Sequence, residues 1–242
     1  MAQERLDYGS ILFNGNCNSK CPECIGKLPQ FDGLEENLKK FPLKGLDEFI
    51  DQVNLLNIGY ISISGVKTDP QLYQHEGELL AYVRNHCTNR IALSLHTNGL
   101  LAIEKGSDFQ MYDKATISFP SFDLDTYEKI TGVRKMPDID EIIRRSNIPI
   151  KLSMLLTEHN KEEFDDYIKR SKEMGIKRIV VRKLFGKEDN FTVLEDQKPT
   201  KLVHNCPVYF FHGVEVTVWN FTKSTVQGIY LFPDGSIRTS FI

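Results

Sequence analysis

The stretch FNGNCNSKCPECIGK, residues 13–27, carries three of the chain's five cysteines at positions 17, 21 and 24, directly after the β-prone run SILFNG of residues 10–15. Its neighbours Asn16, Asn18, Ser19, Lys20, Pro22 and Glu23 are polar, unlike the flanks of a packed core segment. An odd cysteine count crowded into one loop makes a poor disulfide framework, so metal ligation is the leading explanation. Three thiolates at Cys-x3-Cys-x2-Cys spacing can hold three corners of an iron–sulfur cube and leave one iron without a protein ligand. A structural zinc site normally closes with four ligands, and a fourth would have to come from His75, His86, Cys87, His96 or Cys206. Cys87, at the end of an amphipathic stretch, and Cys206, before a proline, are expected to pack in the interior.

Outward from that loop the pattern alternates. A β-prone run is followed by an amphipathic stretch, and the unit recurs to about residue 185: LDEFIDQVNLLNIG (46–59), YISIS (60–64), PQLYQHEGELLAYVRNHC (70–87), RIALSLHTNG (90–99) and KATISFPSFD (114–123). Asp123 is placed to cap a helix over LDTYEKITG, then come IPIKLSMLLTE (148–158), a helix between Asn160 as N-cap and Gly175, and KRIVVRKLF (177–185). Parallel neighbours need crossover connections, so six such units imply a parallel sheet. Periodicity alone fits a doubly wound sheet as well as a barrel; the economical form is a partial (β/α)6 TIM-like barrel of the α/β class, spanning residues 1–185. The segment 186–242 changes character: it is polar and loop-like to about 202, then β-rich in VEVTVWNFT and GIYLFPDGSIRTSFI, with a turn at Pro233–Gly235. It is expected to be a β extension that packs on the barrel and closes its substrate side.

Composition narrows the function classes. A 242-residue chain with 40% hydrophobic and 26% charged residues and a net charge of -3 shows no global preference for nucleic acid or an anionic membrane. No apolar run has the length needed to cross a bilayer, and MAQERLDYGS lacks the features of a signal peptide; a cytoplasmic location is expected.

The cysteine loop, its position after the first strand and the β/α alternation together resemble the radical S-adenosylmethionine (SAM) superfamily, over about residues 10–185. The resemblance implies a [4Fe-4S] cluster on Cys17, Cys21 and Cys24, with SAM on the remaining iron. It also implies an enzyme that cleaves SAM reductively to a 5′-deoxyadenosyl radical. Where relatives carry a Gly-Gly-Glu-Pro-like segment, this chain has SISGVKTDP: Ser64 and Gly65 match the close-approach part, and Asp69 stands where a carboxylate would meet the methionine amino group. Ser118 and Ser153, at the ends of the fourth and fifth strands, match hydroxyls near the ribose or sulfonium. Arg182 is the candidate for the methionine carboxylate, because a guanidinium grips one with two prongs. Leu184, with Phe185, borders the expected adenine site. One departure stands out: relatives usually place an aromatic residue just before the third cysteine, and this chain has Glu23.

His96 shares a strand face with Ser94 and is the candidate catalytic residue, a structural histidine being the competing reading. Fold does not choose the substrate. Lacking a cysteine-rich tail or an overall basic charge, the chain is expected to act on a small polar molecule, such as a nucleoside, nucleotide, sugar or natural-product intermediate. A reductase or a flavodoxin- or ferredoxin-type protein would supply electrons, with no nucleic-acid or membrane partner. Two other readings stay open: an activase or peptide-modifying radical enzyme, and a non-catalytic zinc or iron–sulfur protein.

Overall fold

In the computed structural model, which describes residues 6–186 and 192–241, the alternation becomes one mixed sheet with helices between its strands. In chain order the core elements are β1 (Tyr8–Phe13), α1 (Leu46–Leu55), β2 (Tyr60–Gly65), α2 (Glu76–His86), β3 (Ala92–Thr97), α3 (Gly106–Phe109), β4 (Lys114–Ser118), α4 (Leu124–Thr131), α5 (Ile139–Arg145), β5 (Ile150–Leu155), α6 (Phe164–Glu173) and β6 (Arg178–Arg182). Strands β1 to β6 lie side by side in sequence order, each parallel to the next. A doubly wound sheet would reverse its order somewhere; this one does not, so successive crossovers of one hand stack their helices on one face and the sheet curls as a partial barrel.

The strand sequences explain which face the helices cover. Alternate residues Ile11, Phe13, Ile61, Ile63, Leu93, Leu95, Ile117, Leu152, Met154, Ile179 and Val181 are all buried and form one core with Phe49, Val53, Leu80, Val83, Tyr127, Tyr167 and Ile168 of the helices. The intervening positions, including Ser10, Ser62, Ser94, His96, Lys114, Lys151, Ser153 and Arg182, therefore share the opposite, inner face.

Several elements differ from the sequence expectation for local reasons. The stretch expected as one helix over 70–87 is broken into a single 3-10 turn, Pro70–Leu72, and α2, because the Asp69 side chain caps the turn and the chain must bend to follow it. Asp123 does cap α4, accepting from the Thr126 amide at 2.8 Å, and Gly132 ends it in the left-handed region. Asn160 caps no helix; its buried side chain instead holds the turn after β5, accepting from the Thr157 amide at 2.8 Å. Helix α5 was not expected from the sequence, although Asp138 is its side-chain cap.

The C-terminal segment continues the same sheet at both rims. Strands β7 (Lys201–Val203), β8 (Cys206–Phe211) and β9 (Val214–Trp219) form a meander whose last strand runs parallel to β6, and β10 (Gly228–Leu231) runs parallel to β1 before turning through Pro233–Gly235 into β11 (Ile237–Arg238). The order β11-β10-β1 through β6-β9-β8-β7 leaves the sheet unclosed. Strand β7 begins at the end of the stretch expected as a loop and β8 was not expected: Pro207 argues against a strand, yet it sits opposite Leu202 of the short edge strand β7, where a missing amide is tolerated. The expected loop over 186–202 includes residues 187–191, which lie outside the described ones. Among the described residues no helix is long and apolar enough to cross a membrane.

Candidate active site

The cysteine loop leaves β1 at Phe13 and is pinned from three sides. The Val66 amide donates to the Phe13 carbonyl at 2.7 Å, Thr68 Oγ1 to the Asn16 carbonyl at 3.0 Å, and the Lys20 amide to the Thr131 carbonyl at the end of α4 at 2.8 Å. Two glycines permit the packing: a Cβ on Gly132 would lie 2.5 Å from the Lys20 carbonyl oxygen, and one on Gly26 2.2 Å from that of Val66. The loop's shape is thus set by the β2 and α4 ends, not by its own sequence.

All three thiols are free and half-buried. Burial raises the Cys17 thiol pKa, with Asp69 and Cys24 adding to it, while the Ser19 amide, 3.4 Å from its sulfur, opposes. Burial and then the charges of Cys24 and Cys17 push Cys21 up to about 11. Thiols such as Cys17 and Cys21, whose ionisation burial opposes, are stabilised as thiolates by a cationic centre, so the three-sulfur donor set fits an iron–sulfur cluster. Among the described residues no three His, Cys, Asp or Glu side chains converge closely enough for one metal ion. A zinc site, with zinc–sulfur bonds of about 2.3 Å, needs such convergence.

A cavity of about 370 Å³ opens beside the loop, a size suited to a cofactor or small ligand. Cys21, Glu23 and Cys24 line it from the loop, and Ser118, Ser153, Arg182 and Leu184 from the carboxyl-terminal halves of β4, β5 and β6 or just beyond. Five strand- and loop-borne residues picked out in the sequence therefore converge: Ser118, Ser153, Arg182 and Leu184, together with Phe185, on one space shared with two of the cysteines. Burial lowers the Arg182 pKa, against the opposing effect of Tyr60 and Tyr8, and no hydrogen-bond partner for its guanidinium is found among the described residues.

Asp69, Ser64 and Gly65 do not reach that cavity wall. Asp69 is only 4% exposed, and its carboxylate accepts from the Gln71 amide at 3.0 Å, Thr97 Oγ1 at 2.9 Å and the Asn98 amide at 2.6 Å. Burial raises its pKa against these hydrogen bonds. The Asp69 carboxylate, expected to meet a methionine amino group, has its acceptors turned to the loops after β2 and β3. Gly65 serves the turn there, since a Cβ on it would strike the Thr68 carbonyl oxygen at 1.7 Å.

What sequence reading undervalued is Asn98. Held by Asp69 through its amide, it donates from its side chain to Asn18 Oδ1 at 2.6 Å and Ser19 Oγ at 3.2 Å, and it lines the cavity. One buried carboxylate thus fixes the loops after β1, β2 and β3 to each other. Phe221, also on the cavity wall, lies edge-on to Phe185 at 6.2 Å and was missed because it sits beyond β9, in a segment remote in sequence.

His96 lies on the inner face below this cavity. Burial and the neighbouring charges of Arg182, Lys151 and Lys114 depress its pKa well below the ordinary value, so the ring is neutral at pH 7. Cys87 packs against the main core and Cys206 is fully buried.

No protein-family model matches the chain. Two curated proteins named probable GTP 3′,8-cyclase are similar to it: that of Saccharolobus solfataricus is 30% identical over 93 residues, 36% of this chain and 30% of the relative. That of Thermoplasma volcanium is 23% identical over 170 residues, 67% of this chain and 49% of the relative. The chain spans about a third to a half of the length of the curated relatives it matches. Among solved structures, Streptococcus suis SuiB bound to precursor peptide SuiA superposes with a TM-score of 0.59 and 16% identity, covering 74% of this chain and 40% of SuiB. Native anSMEcpe with bound AdoMet gives 0.54 and 14% identity, covering 76% of this chain and 55% of that one.

Proposed function

We propose that the chain is a radical SAM enzyme whose substrate is a small polar molecule, a reading supported by its fold and its cysteine loop. The observation that carries the reading is the sharing of one cavity by Cys21, Cys24 and the strand-borne groups Ser118, Ser153 and Arg182. Cys17, Cys21 and Cys24 would hold a [4Fe-4S] cluster, and the adjoining cavity would take SAM. When bound, the pair supplies a reductive cleavage of the sulfonium, giving methionine and a 5′-deoxyadenosyl radical that takes a hydrogen atom from the substrate.

The chain's own residues bind and orient. Arg182 pairs with the methionine carboxylate, for which a guanidinium without another partner in a half-dry wall is well suited. The Ser118 and Ser153 hydroxyls face the ribose and sulfonium, and Leu184, Phe185 and Phe221 offer an apolar edge to the adenine. Asp69 acts from outside the cavity, holding Asn98 and through it the cysteine loop in place. Neutral His96 hydrogen-bonds the substrate. Electrons arrive from a flavodoxin- or ferredoxin-type donor.

Anaerobic reconstitution tests the reading. The expected result is about four iron and four sulfide per chain, with 5′-deoxyadenosine released on reduction in the presence of SAM. A colourless zinc-containing chain that releases none would replace this function with a metal-binding one.

A further inference from the structure

The inner face of the sheet below the cavity is cationic, with Lys151 and Arg182 half-buried and Lys114 and Arg178 exposed at its rim. Lys114 on β4, Lys151 on β5, and Arg178 and Arg182 on β6 all point to the same side, by the alternation that sends Ile117, Leu152, Ile179 and Val181 to the helices. The carboxylates near them are taken: Glu215 of β9 accepts from Arg178 Nε at 2.9 Å and from Lys201 Nζ at 2.8 Å, and Asp113, beside Lys114, accepts from Arg84 Nη2 at 2.8 Å. Lys114 lies over the Tyr60 ring at 4.2 Å, which softens but does not neutralise its charge. For Lys151 no hydrogen bond or ion pair is found among the described residues. Close by in register, His96 pairs with Thr116 and Thr116 with Lys151, while Ser94 pairs with Lys114. Ser94 is 1% exposed, with Tyr60 the hydroxyl group that faces it; the buried indole N–H of Trp219, beside Arg182 in register, has no hydrogen-bond partner among the described residues.

A buried ammonium without a counter-ion costs stability, and replacing it with an apolar side chain normally improves the fold. Such a group together with an orphaned donor is what a site for an anion looks like when written in protein atoms. The charge count selects the anion. With Arg178 given to Glu215 and Arg182 to the methionine carboxylate, two uncompensated ammoniums remain, Lys114 and Lys151. A carboxylate would neutralise one; a phosphate monoester, carrying about -1.5 to -2 at pH 7, neutralises both.

We propose that the barrel lumen binds the phosphate group of a phosphorylated small-molecule substrate, with Lys151 and Lys114 as its ion partners and Ser94 and His96 as hydrogen-bond donors. This rests on the radical SAM reading for the assignment of Arg182, and it orients the substrate with its phosphate deep in the lumen and its reacting end toward the cysteine loop.

The lumen's electrostatics agree. Burial, then Arg182, Arg178 and Lys114, lower Lys151 to about 7, with Glu215 opposing. Tyr60 on β2, Tyr8 on β1 and Tyr230 on β10 also face this space, with Asp7 and Asp113 at its edge; burial raises all three tyrosines. A bound dianion would restore the ammonium, so at pH 8 binding should take up a proton.

The test is titration calorimetry of the full reconstituted chain with inorganic phosphate and, in parallel, with acetate, at pH 8 in two buffers of different ionisation enthalpy. Saturable phosphate binding with proton uptake is expected, about tenfold or more weaker in Lys151→Met, retained in Lys151→Arg and unaltered in Lys129→Gln on the exposed side of α4. Lys151→Met should melt at a higher temperature than the unmodified chain, which guards against loss by misfolding. Absence of saturable phosphate binding, equal affinity for acetate, or unchanged phosphate affinity in Lys151→Met would each overturn the proposal. Retention of the cluster and SAM is read separately on the unmodified chain: if those bind and phosphate does not, the lumen inference fails alone.

Discussion

Asp69 shows how much one side chain can decide. Its carboxylate serves three donors from two loops, and through Asn98 it reaches the cysteine loop as well. Asp69→Ala would strand the Gln71 and Asn98 amides and the Thr97 hydroxyl in the interior, a loss of about 2–4 kcal/mol. Chemical denaturation should show that loss together with poorer cluster retention; an unchanged midpoint would mean the loops are held by other contacts. The cysteines make a sharper case. Cys17→Ala, Cys21→Ala and Cys24→Ala should each abolish the cluster's visible absorbance and 5′-deoxyadenosine release, whereas Cys87→Ala and Cys206→Ala should keep both. Retained absorbance in any of the first three would move a ligand elsewhere. Glu23 lines the cavity, and the aromatic groups of that cavity, Phe185 and Phe221, come from the β6 and β9 ends instead.

At the scale of elements, α2 carries a charge that the fold tolerates at a cost. Glu76 at its first turn is 2% exposed, accepts from Tyr112 Oη at 2.8 Å and lies 3.3 Å from Lys105 Nζ. Burial outweighs both partners and raises its pKa from 4.5 to about 7. Between those two values the folded chain binds a proton that the unfolded chain has released, so stability is greatest below pH 4.5 with respect to this group and falls as pH rises toward 7. The loss amounts to about 2–3 kcal/mol. Glu76→Gln should flatten that part of the stability–pH curve and gain most at pH 8; parallel curves for the two proteins would show that Glu76 ionises normally.

Across the whole molecule, the C-terminal strands act as clasps on both rims of the barrel. Strand β10 brings Tyr230 and Phe232 onto a second core with Leu12, Phe31 and Val66, against which Ile25 and Leu28 of the cysteine loop region pack. The Arg238 guanidinium covers the Phe232 ring at 4.0 Å. Phe232→Ala should therefore cost about 3–5 kcal/mol, as expected for a large buried aromatic. A loss under about 1 kcal/mol on denaturation would show that this rim unfolds apart from the rest.

What the amino-acid sequence determined by itself is local: three thiols on one loop after a strand, and six apolar alternations that demand a parallel sheet. Those signals survive without tertiary information because cysteine spacing and hydrophobic period are properties of adjacent residues. The convergence of Ser118, Ser153 and Arg182 was also legible, since each stands in the carboxyl-terminal half of a strand. The tertiary structure alone decided that Asp69 turns inward, that β9 and β10 take opposite rims, and that Lys114, Lys151 and Arg182 gather around His96. Each of those depends on inter-strand register between segments about 20 or more residues apart, and a single-residue slip would have sent every one of these side chains to the other face.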